Sequence, residues 1–212
     1  MFNYQLLKHM NAAPWDERYN GKAYYYGTEP NAFLKEASAA FPQGPVLCLA
    51  EGEGRNAAYL ASLGHKVTAT DQSAVGLAKA NRLAMDKGLN ISTIVADLSN
   101  FEITSNSWSG IVAIFMHLPP SLRAIVHRRV VEGLVPGGFY ILEAYTPAQL
   151  GFGTGGPKDP SLLMTLSVLR EELAGLEFLV AQETERDVIE GQGHTGRAAV
   201  VQILARRPIG IA

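Results

Sequence analysis

The sequence has little cysteine, little net charge and no long apolar run. Its one cysteine, Cys48, cannot form a disulfide within the chain, which suits a reducing compartment. No apolar run approaches the roughly 18 residues of a membrane span, and the first residues lack the apolar core and basic flank of a signal peptide. A formal net charge of -2 provides no overall attraction for nucleic acid or an anionic membrane. We therefore expect a cytoplasmic protein that binds neither nucleic acid nor membrane.

Motifs of several catalytic classes are also missing. The histidines, at positions 9, 65, 117, 127 and 194, show no metal-ligand spacing, so we expect no metal. The G-x-S-x-G motif of serine hydrolases does not occur. The stretch GFGTGGPKD lacks the Lys-Ser/Thr pair of a phosphate-binding loop, and we interpret it as a flexible flap over a pocket.

Short apolar runs alternate with helical patterns through the first two thirds of the chain. Runs typical of strands cover residues 46–50, 67–70, 91–96, 111–116 and 139–144. Helical spacing covers residues 55–63, a segment from the candidate N-cap Ser73 to near Gly88, and a segment that ends before Gly133. This alternation predicts a parallel sheet covered on both faces.

The last third has a different pattern. Asp159-Pro160 followed by leucines at 162, 166, 169 and 173 predicts a helix that ends at Gly175. Two strand-like runs follow, LEFLVAQETER and RAAVVQILARR, and their connection near 187–196 is too short for a crossover helix. We therefore expect these two strands to pair antiparallel at the sheet edge.

Together these patterns predict an α/β fold with a doubly wound, Rossmann-like sheet. The sheet is expected to have seven strands, mostly parallel, with an antiparallel strand at the C-terminal end. We expect one domain over residues 1–212, in which residues 1–40 form an N-terminal helical lid and residues 41–212 form the Rossmann-like core.

The stretch VLCLAEGEGRN contains the first strand and the glycine loop that follows it. Gly52 and Gly54 let backbone approach a ligand closely, and the extension to Ala57 also satisfies the dinucleotide pattern G-x-G-x-x-A. Glu51 and Glu53 would repel a pyrophosphate and favour a ligand with ammonium or sulfonium charge. We expect Glu51 to face that ligand and Glu53 to face water.

Acidic residues follow three successive strands. Glu51 comes after the first strand, Asp71 ends the second, VTATDQS, and Asp97 ends the third, TIVADLS. Ligands of open α/β sheets bind outside these strand ends, so the three acids are expected to share one site. Each acid alone is also consistent with a turn cap.

At this point the sequence resembles the class I S-adenosylmethionine-dependent methyltransferases over nearly its whole length. The turn LVPGGFYILEAY resembles that family's entry into strand five. A small bacterial branch, with tellurite-resistance and thiopurine-type methyltransferases, is similar in further stretches: GEGRNAAYLASLGHKVTATDQS, WDERY, YYYGTEPNAFL, GTGGPKD and EGQGHTG. The resemblance implies S-adenosyl-L-methionine as the cofactor.

Site residues are implied position by position. The family's cofactor-loop glycines fall on Gly52 and Gly54, its ribose-binding acid on Asp71, and its adenine-binding pair on Asp97 and Leu98. Further residues expected at the cofactor are Arg55, Gln72 and Ser73.

Two positions depart from the family pattern. The usual loop acid falls on Cys48 and the first glycine falls on Ala50. We interpret Cys48 as a small core residue. Our hypothesis is that Glu51 instead contacts the methionine ammonium, directly or through water.

The acceptor side carries two candidate catalytic histidines. His117, in FMHLPP after the fourth strand, is expected where a base or an orienting group would act, although it could instead satisfy backbone groups before Pro119. His194, in EGQGHTG, is expected to fold over the pocket from the last hairpin, with an exposed loop histidine as the alternative.

Aromatic residues are dense before the first strand. Trp15, Tyr19 and Tyr26 lie there, and aromatic faces suit a sulfonium. We expect Tyr26 to contact the cofactor, and Trp15, Tyr19 and Tyr145 to contact the substrate. Packing against the sheet is the alternative for each of the lid aromatics.

The sequence thus favours an enzyme, an S-adenosylmethionine-dependent methyltransferase with a small-molecule acceptor such as a thiol or a reduced chalcogen. Two alternatives stay open: an NAD-dependent oxidoreductase on a Rossmann fold, and a non-catalytic S-adenosylmethionine-binding regulatory protein. No added recognition domain indicates a protein substrate. A monomer or homodimer is expected.

Overall fold

The structure is a computed structural model that describes residues 13–210. The first twelve residues of the expected lid lie outside the described residues. The helices are α1 (Ala13–Tyr19), α2 (Ala32–Ala37), α3 (Arg55–Ser62), α4 (Ala74–Asp86), α5 (Pro120–Gly133) and α6 (Leu166–Glu172). The strands are β1 (Pro45–Leu49), β2 (Lys66–Asp71), β3 (Ser92–Val95), β4 (Trp108–Ile114), β5 (Leu134–Tyr145), β6 (Glu177–Glu190) and β7 (His194–Arg206). Single 3-10 turns occur at Ser38–Ala40, Pro147–Gly151 and Pro160–Leu162.

All seven strands form one sheet in the order β3-β2-β1-β4-β5-β7-β6. Strands β1 to β5 pair in parallel, and β7 pairs antiparallel with both β5 and β6. The predicted fold class and the predicted antiparallel pairing of the last two strands are therefore confirmed. The strand order reverses between β1 and β4, and in open α/β sheets ligands bind at such a reversal.

The central strands are buried because helices cover both faces of the sheet. Along β1, Leu47 and Leu49 point into one apolar cluster, whereas Val46 and Cys48 point into the other. This alternation is the two-residue period of a strand between two layers. Cys48 is fully buried, which confirms its interpretation as a core residue.

Local signals place most helix boundaries. Ser73 caps α4 as expected, since its hydroxyl oxygen accepts a hydrogen bond from Gly76 N at 2.9 Å. The predicted continuous helix from Pro160 to Gly175 is wrong. The chain turns at Pro160–Leu162, becomes extended at Leu163 and begins α6 only at Leu166. Met164 N donates to Tyr145 O at 2.9 Å, so pairing with the end of β5 replaces a helical turn.

A buried polar network ties the segment before α2 to the C-terminal hairpin. Glu143, on β5, is fully buried and accepts from Asn31 Nδ2 at 2.7 Å and from Gln202 Nε2 at 2.6 Å. Arg186, on β6, forms an ion pair with the same carboxylate. Asn31 Nδ2 also donates to Glu190 at 2.9 Å. One carboxylate therefore joins three strands to the segment that precedes α2.

No helix within residues 13–210 is both long enough and apolar enough to cross a membrane.

Removing the Arg186 charge should leave Glu143 buried without its counterion. We expect Arg186→Met to lower the free energy of unfolding by about 3 to 5 kcal/mol, measured by urea denaturation. The matched control is Arg197→Met on the neighbouring strand. The Arg197–Glu185 pair is about half exposed on both sides, at 49% and 53%, so its loss should cost less than about 1 kcal/mol.

Combining Arg186→Met with Glu143→Gln removes both charges and should recover much of the lost stability. Equal, small losses in the two single arginine variants would contradict a structural role for this ion pair.

Candidate functional site

A cavity of about 510 Å³ opens at the carboxyl ends of β1, β2 and β4. Its position at the reversal of strand order is where open α/β sheets bind ligands. The segment from α1 to Tyr26 forms one wall, and residues from the loop after β5 and the β6–β7 turn form another. The cavity size falls within the range of small-molecule and cofactor sites.

The three predicted acids meet in this cavity. Glu51, Asp71 and Asp97 all line it, although they come from three different strand ends. Ala50 adopts a left-handed backbone, with φ of 49°, directly before Glu51. That conformation is one that glycine adopts without strain, so the position retains the backbone shape but not the residue of the family pattern.

Glu51 caps the helix that follows the loop. Its Oε1 accepts a hydrogen bond from Ala57 N at 2.8 Å, in the first turn of α3. Burial raises the pKa of the Glu51 carboxyl to about 7, and the Ala57 hydrogen bond and the Arg55 charge oppose that rise. The N–H groups of a helix N-terminus that commonly bind phosphate here already face a carboxylate.

Asp71 and Asp97 also hold their own turns. Asp71 accepts from Gly52 N and from Ser73 N, both at 2.8 Å, and burial raises the pKa of its carboxyl. Asp97 accepts from Ser99 N at 2.8 Å. Turn capping and a place in the cavity wall therefore coexist at both residues.

The loop glycines are absent from the cavity wall, and their predicted role at a cofactor stays a prediction. Gly52 has a φ of 61°, and a Cβ there would lie 2.7 Å from Tyr19 Oη. A Cβ on Gly54 would collide with Ala80 of α4. The two glycines make room for the N-terminal segment and for a helix contact.

The predicted role of Ser73 at a cofactor stays a prediction, whereas the expectation that Glu53 faces water is wrong. Ser73 is absent from the cavity wall because it is the buried cap of α4, and its hydroxyl donates to Asp16 at 2.5 Å. Glu53 does not face water. It is buried, forms an ion pair with Lys79 and accepts a hydrogen bond from Tyr25 N at 2.7 Å.

The remaining predicted cofactor residues do lie at the cavity. They are Tyr26, Arg55, Gln72 and Leu98. Arg55 is not free to contact a ligand with its whole side chain, because Nη2 donates to Glu190 at 2.5 Å.

The opposite end of the cavity is aromatic. His117, His194 and Phe115 line it, and Tyr145 packs behind them. The ring of Tyr145 stacks on His117 with centroids 5.6 Å apart and meets His194 edge to face at 5.3 Å. Among the described residues, buried polar atoms without a hydrogen-bond partner include His117 Nε2, Tyr145 Oη and His194 Nδ1. Three such atoms on adjoining rings indicate a place for a polar ligand group.

The His117 ring is held in one orientation. Nδ1 lies 3.0 Å from Leu162 O, and because a carbonyl only accepts, Nδ1 carries the proton. Burial lowers the pKa of His117 to about 4, so the ring is neutral and Nε2 presents a lone pair. His117 therefore satisfies a backbone group and also lines the cavity, and its role as a base or an orienting group stays a prediction.

His194 lies beside a buried carboxylate. Its Nδ1 is 3.7 Å from Glu190 Oε2, which is too long for a hydrogen bond and forms an ion pair only when the ring is protonated. Burial lowers the pKa of His194, and Glu190 opposes that effect. Burial also acts to raise the pKa of Glu190, but His194 and Arg55 hold it at about 2. His194 is buried, so the alternative of an exposed loop histidine is wrong.

The predicted substrate residues are divided between two places. Trp15 and Tyr19 line the cavity from the N-terminal segment, whereas Tyr145 is fully buried and reaches the cavity only through its neighbours. Sequence reasoning missed Phe115 and Arg18, which also line the wall. The strand-end rule could have identified Phe115, which directly follows β4. No local signal marks Arg18.

Comparison with known proteins identifies relatives of the chain. A methyltransferase domain family matches residues 46–138. A curated relative from Haemophilus influenzae, the probable S-adenosyl-L-methionine-dependent methyltransferase TehB, is 33% identical over 187 residues, covering 86% of this chain and 64% of its own length. The uncharacterized methyltransferase YodH of Bacillus subtilis is 32% identical over 110 residues, covering 50% of this chain and 47% of its own length.

A solved structure agrees with these relatives. The crystal structure of TehB from Haemophilus influenzae superposes with a TM-score of 0.68 at 25% identity, covering 91% of this chain and 65% of that chain. The chain thus spans between about half and two thirds of the length of the curated relatives that it matches.

Proposed function

We propose that the chain is a class I S-adenosylmethionine-dependent methyltransferase that methylates a small thiol or reduced chalcogen, and its similarity to the methyltransferase domain family and to TehB supports this proposal. The observation that carries the proposal is the division of one cavity into two ends. Carboxylates line one end, and neutral aromatic and histidine rings with unpartnered polar atoms line the other.

The carboxylate end fits S-adenosylmethionine. Glu51 would hold the methionine ammonium, Asp71 the ribose hydroxyls, and Asp97 with Leu98 the adenine edge. Tyr26 would present its ring to the sulfonium. When bound, the cofactor supplies an electrophilic methyl group on sulfur.

The same residues argue against NAD. A dinucleotide commonly binds its pyrophosphate at the N-terminus of the first helix. Here Glu51 caps α3 at that place, and its carboxylate would repel the phosphates.

At the other end, the chain's own groups can align an acceptor and take its proton. His117 Nε2 would accept a hydrogen bond from the acceptor X–H, where X is sulfur or another chalcogen. As the X–CH₃ bond forms and the sulfonium C–S bond breaks, that same proton would leave X for His117 Nε2, while Glu190 beside His194 would favour positive charge at this end of the cavity. Phe115 and Tyr145 exclude water, which favours a soft acceptor that needs alignment more than activation.

The acceptor class rests on two considerations. The cofactor would take most of a cavity of about 510 Å³, so the acceptor must be small. The resemblance to tellurite-resistance and thiopurine-type enzymes favours soft acceptor atoms, although fold likeness alone does not assign a substrate. We also propose that residues 1–40 act as a lid and that the active form is a monomer or homodimer.

The pKa of Glu51 makes cofactor binding depend on pH. With a pKa of about 7, the carboxyl is largely protonated at pH 6 and largely charged at pH 8, and only the charged form attracts an ammonium. We expect the affinity for S-adenosylhomocysteine, which keeps the ammonium, to rise about tenfold from pH 6 to pH 8. Titration calorimetry in two buffers of different ionisation enthalpy should show proton release at pH 7.

Glu51→Gln is the control for this experiment, because it keeps a side-chain acceptor for Ala57 N without a charge to titrate. Its affinity should be lower at pH 8 and should not change with pH. A variant with parental affinity and parental pH dependence would remove Glu51 from the site.

If His117 binds the methyl acceptor, its loss should slow the reaction without changing the affinity for the cofactor. We expect His117→Ala to reduce kcat/KM for the acceptor about 10²-fold while leaving the affinity for S-adenosylhomocysteine unchanged. His65→Ala is the matched control, since His65 precedes β2 at the opposite end of the sheet. Equal rates in the two variants would exclude His117 from the reaction.

Two measurements separate the candidate functions. Thermal stabilisation by S-adenosylmethionine and S-adenosylhomocysteine but not by NAD is expected. Turnover is then measured with labelled methyl donor against a panel of small thiols, selenols and tellurite under reducing conditions. Binding without turnover on the whole panel would favour the non-catalytic alternative.

A further inference from the structure

Lys79, in the middle of α4, contacts several residues of one short stretch of chain. Its Nζ donates to Tyr19 O at 3.2 Å, to Gly21 O at 2.9 Å and to Ala23 O at 2.7 Å. It also forms an ion pair with Glu53. The ammonium lies 5.0 Å from the ring centroid of Tyr24, whose hydroxyl donates to Lys79 O at 3.2 Å.

The stretch that Lys79 holds belongs to the aromatic segment, which we define as residues 13–26. This segment supplies Trp15, Tyr19, Tyr25 and Tyr26 to the cavity wall. Its regular structure consists of the seven-residue helix α1, and it contains no strand that pairs with the sheet. Such a segment needs side-chain contacts to fix its position, since helices of this length are marginal alone.

Lys79 supplies such contacts at the end of α1 and in the loop that follows it. Tyr19 ends α1. The carbonyl groups of Tyr19, Gly21 and Ala23 therefore have no partner within the helix. A lysine ammonium has three donors, and three carbonyls converge on it. A cation at a helix C-terminus is also favoured by the helix dipole.

Glu53 connects this cluster to the cofactor loop. Glu53 lies between Gly52 and Gly54 in sequence, and its carboxylate pairs with Lys79 and accepts from Tyr25 N at 2.7 Å. Loop, helix α4 and aromatic segment therefore meet at one ammonium. Without that charge, three carbonyl oxygens and a buried carboxylate would face one another uncompensated.

We propose that Lys79 is the positioning residue that holds the aromatic segment against the cofactor end of the cavity. It does not touch the cavity itself and acts through Tyr19, Tyr25 and Tyr26. The inference rests on the proposed function for the identity of the ligand, and on the contacts above for the position of the segment.

The test uses Trp15 as a reporter in the full-length protein. The chain has two tryptophans, Trp15 and Trp108, so Trp108→Phe leaves Trp15 as the sole source of tryptophan emission. In that background, Lys79→Met should shift the Trp15 emission to longer wavelength without any ligand. Lys87→Met, an exposed lysine at the end of the same helix, should leave the emission unchanged.

Binding and kinetics supply the second readout. Loss of the charge-assisted contacts should weaken S-adenosylhomocysteine binding about tenfold in Lys79→Met. KM for the methyl donor should rise by a similar factor, while kcat at saturating donor stays near the parental value. A purely structural lysine would not produce this division between KM and kcat.

A second variant, Lys79→Arg, keeps the proposal testable if Lys79→Met does not fold. Lys79→Arg keeps a charge beside Glu53, but its planar guanidinium cannot converge on three carbonyls, so smaller changes in the same direction are expected. Parental emission and parental affinity in folded Lys79→Met and Lys79→Arg would overturn the proposal. If the parent protein does not bind S-adenosylhomocysteine, the proposed function fails, whereas the Trp15 emission still tests Lys79.

Discussion

Burial of two carboxylates, Glu143 and Glu190, is the constraint on which the arrangement of the site depends. A carboxylate inside a protein is tolerated only when cations and hydrogen-bond donors surround it. The groups that satisfy this pair come from the segment before α2, from α3 and from both strands of the hairpin: Asn31, Arg55, Arg186 and Gln202. Elements distant in sequence are therefore held at fixed relative positions by one electrostatic requirement.

That requirement links the two ends of the cavity. Arg55 opens the helix after the glycine loop, and His194 lies at the aromatic end. Glu190 lies between them, 2.5 Å from Arg55 Nη2 and 3.7 Å from His194 Nδ1. Glu190, whose side chain does not line the cavity, thus fixes the relative positions of Arg55 and His194, which do.

The sequence was sufficient to predict the sheet, the parallel pairing of most of its strands and the edge of the sheet where the acids meet. These features follow from strand-length apolar runs and from the rule that parallel strands end at one edge. The roles of Gly52 and Gly54 could not be predicted, because their close neighbours, Tyr19 and Ala80, lie in other elements. A glycine pattern indicates close approach but does not identify what approaches.

Other errors have the same origin. Leucine spacing after Asp159 is helical, yet a backbone hydrogen bond from Met164 to Tyr145 overrides it. Glu53 is polar and close to glycines, which is typical of an exposed loop, but Lys79 on α4 neutralises it in the interior. In each case a contact between residues distant in sequence overrides the structure that the local sequence favours.

The strand order has a consequence for how the chain is made. β7 is the last of the seven described strands in sequence, but it lies between β5 and β6 rather than at an edge. During synthesis, β6 therefore leaves the ribosome before the strand that joins it to the sheet exists. Gln202, which helps to neutralise Glu143, arrives with that strand. Completion of the sheet and of its buried charge cluster must then occur together and late, and a chain cut short before residue 194 would lose a strand from the interior of the sheet.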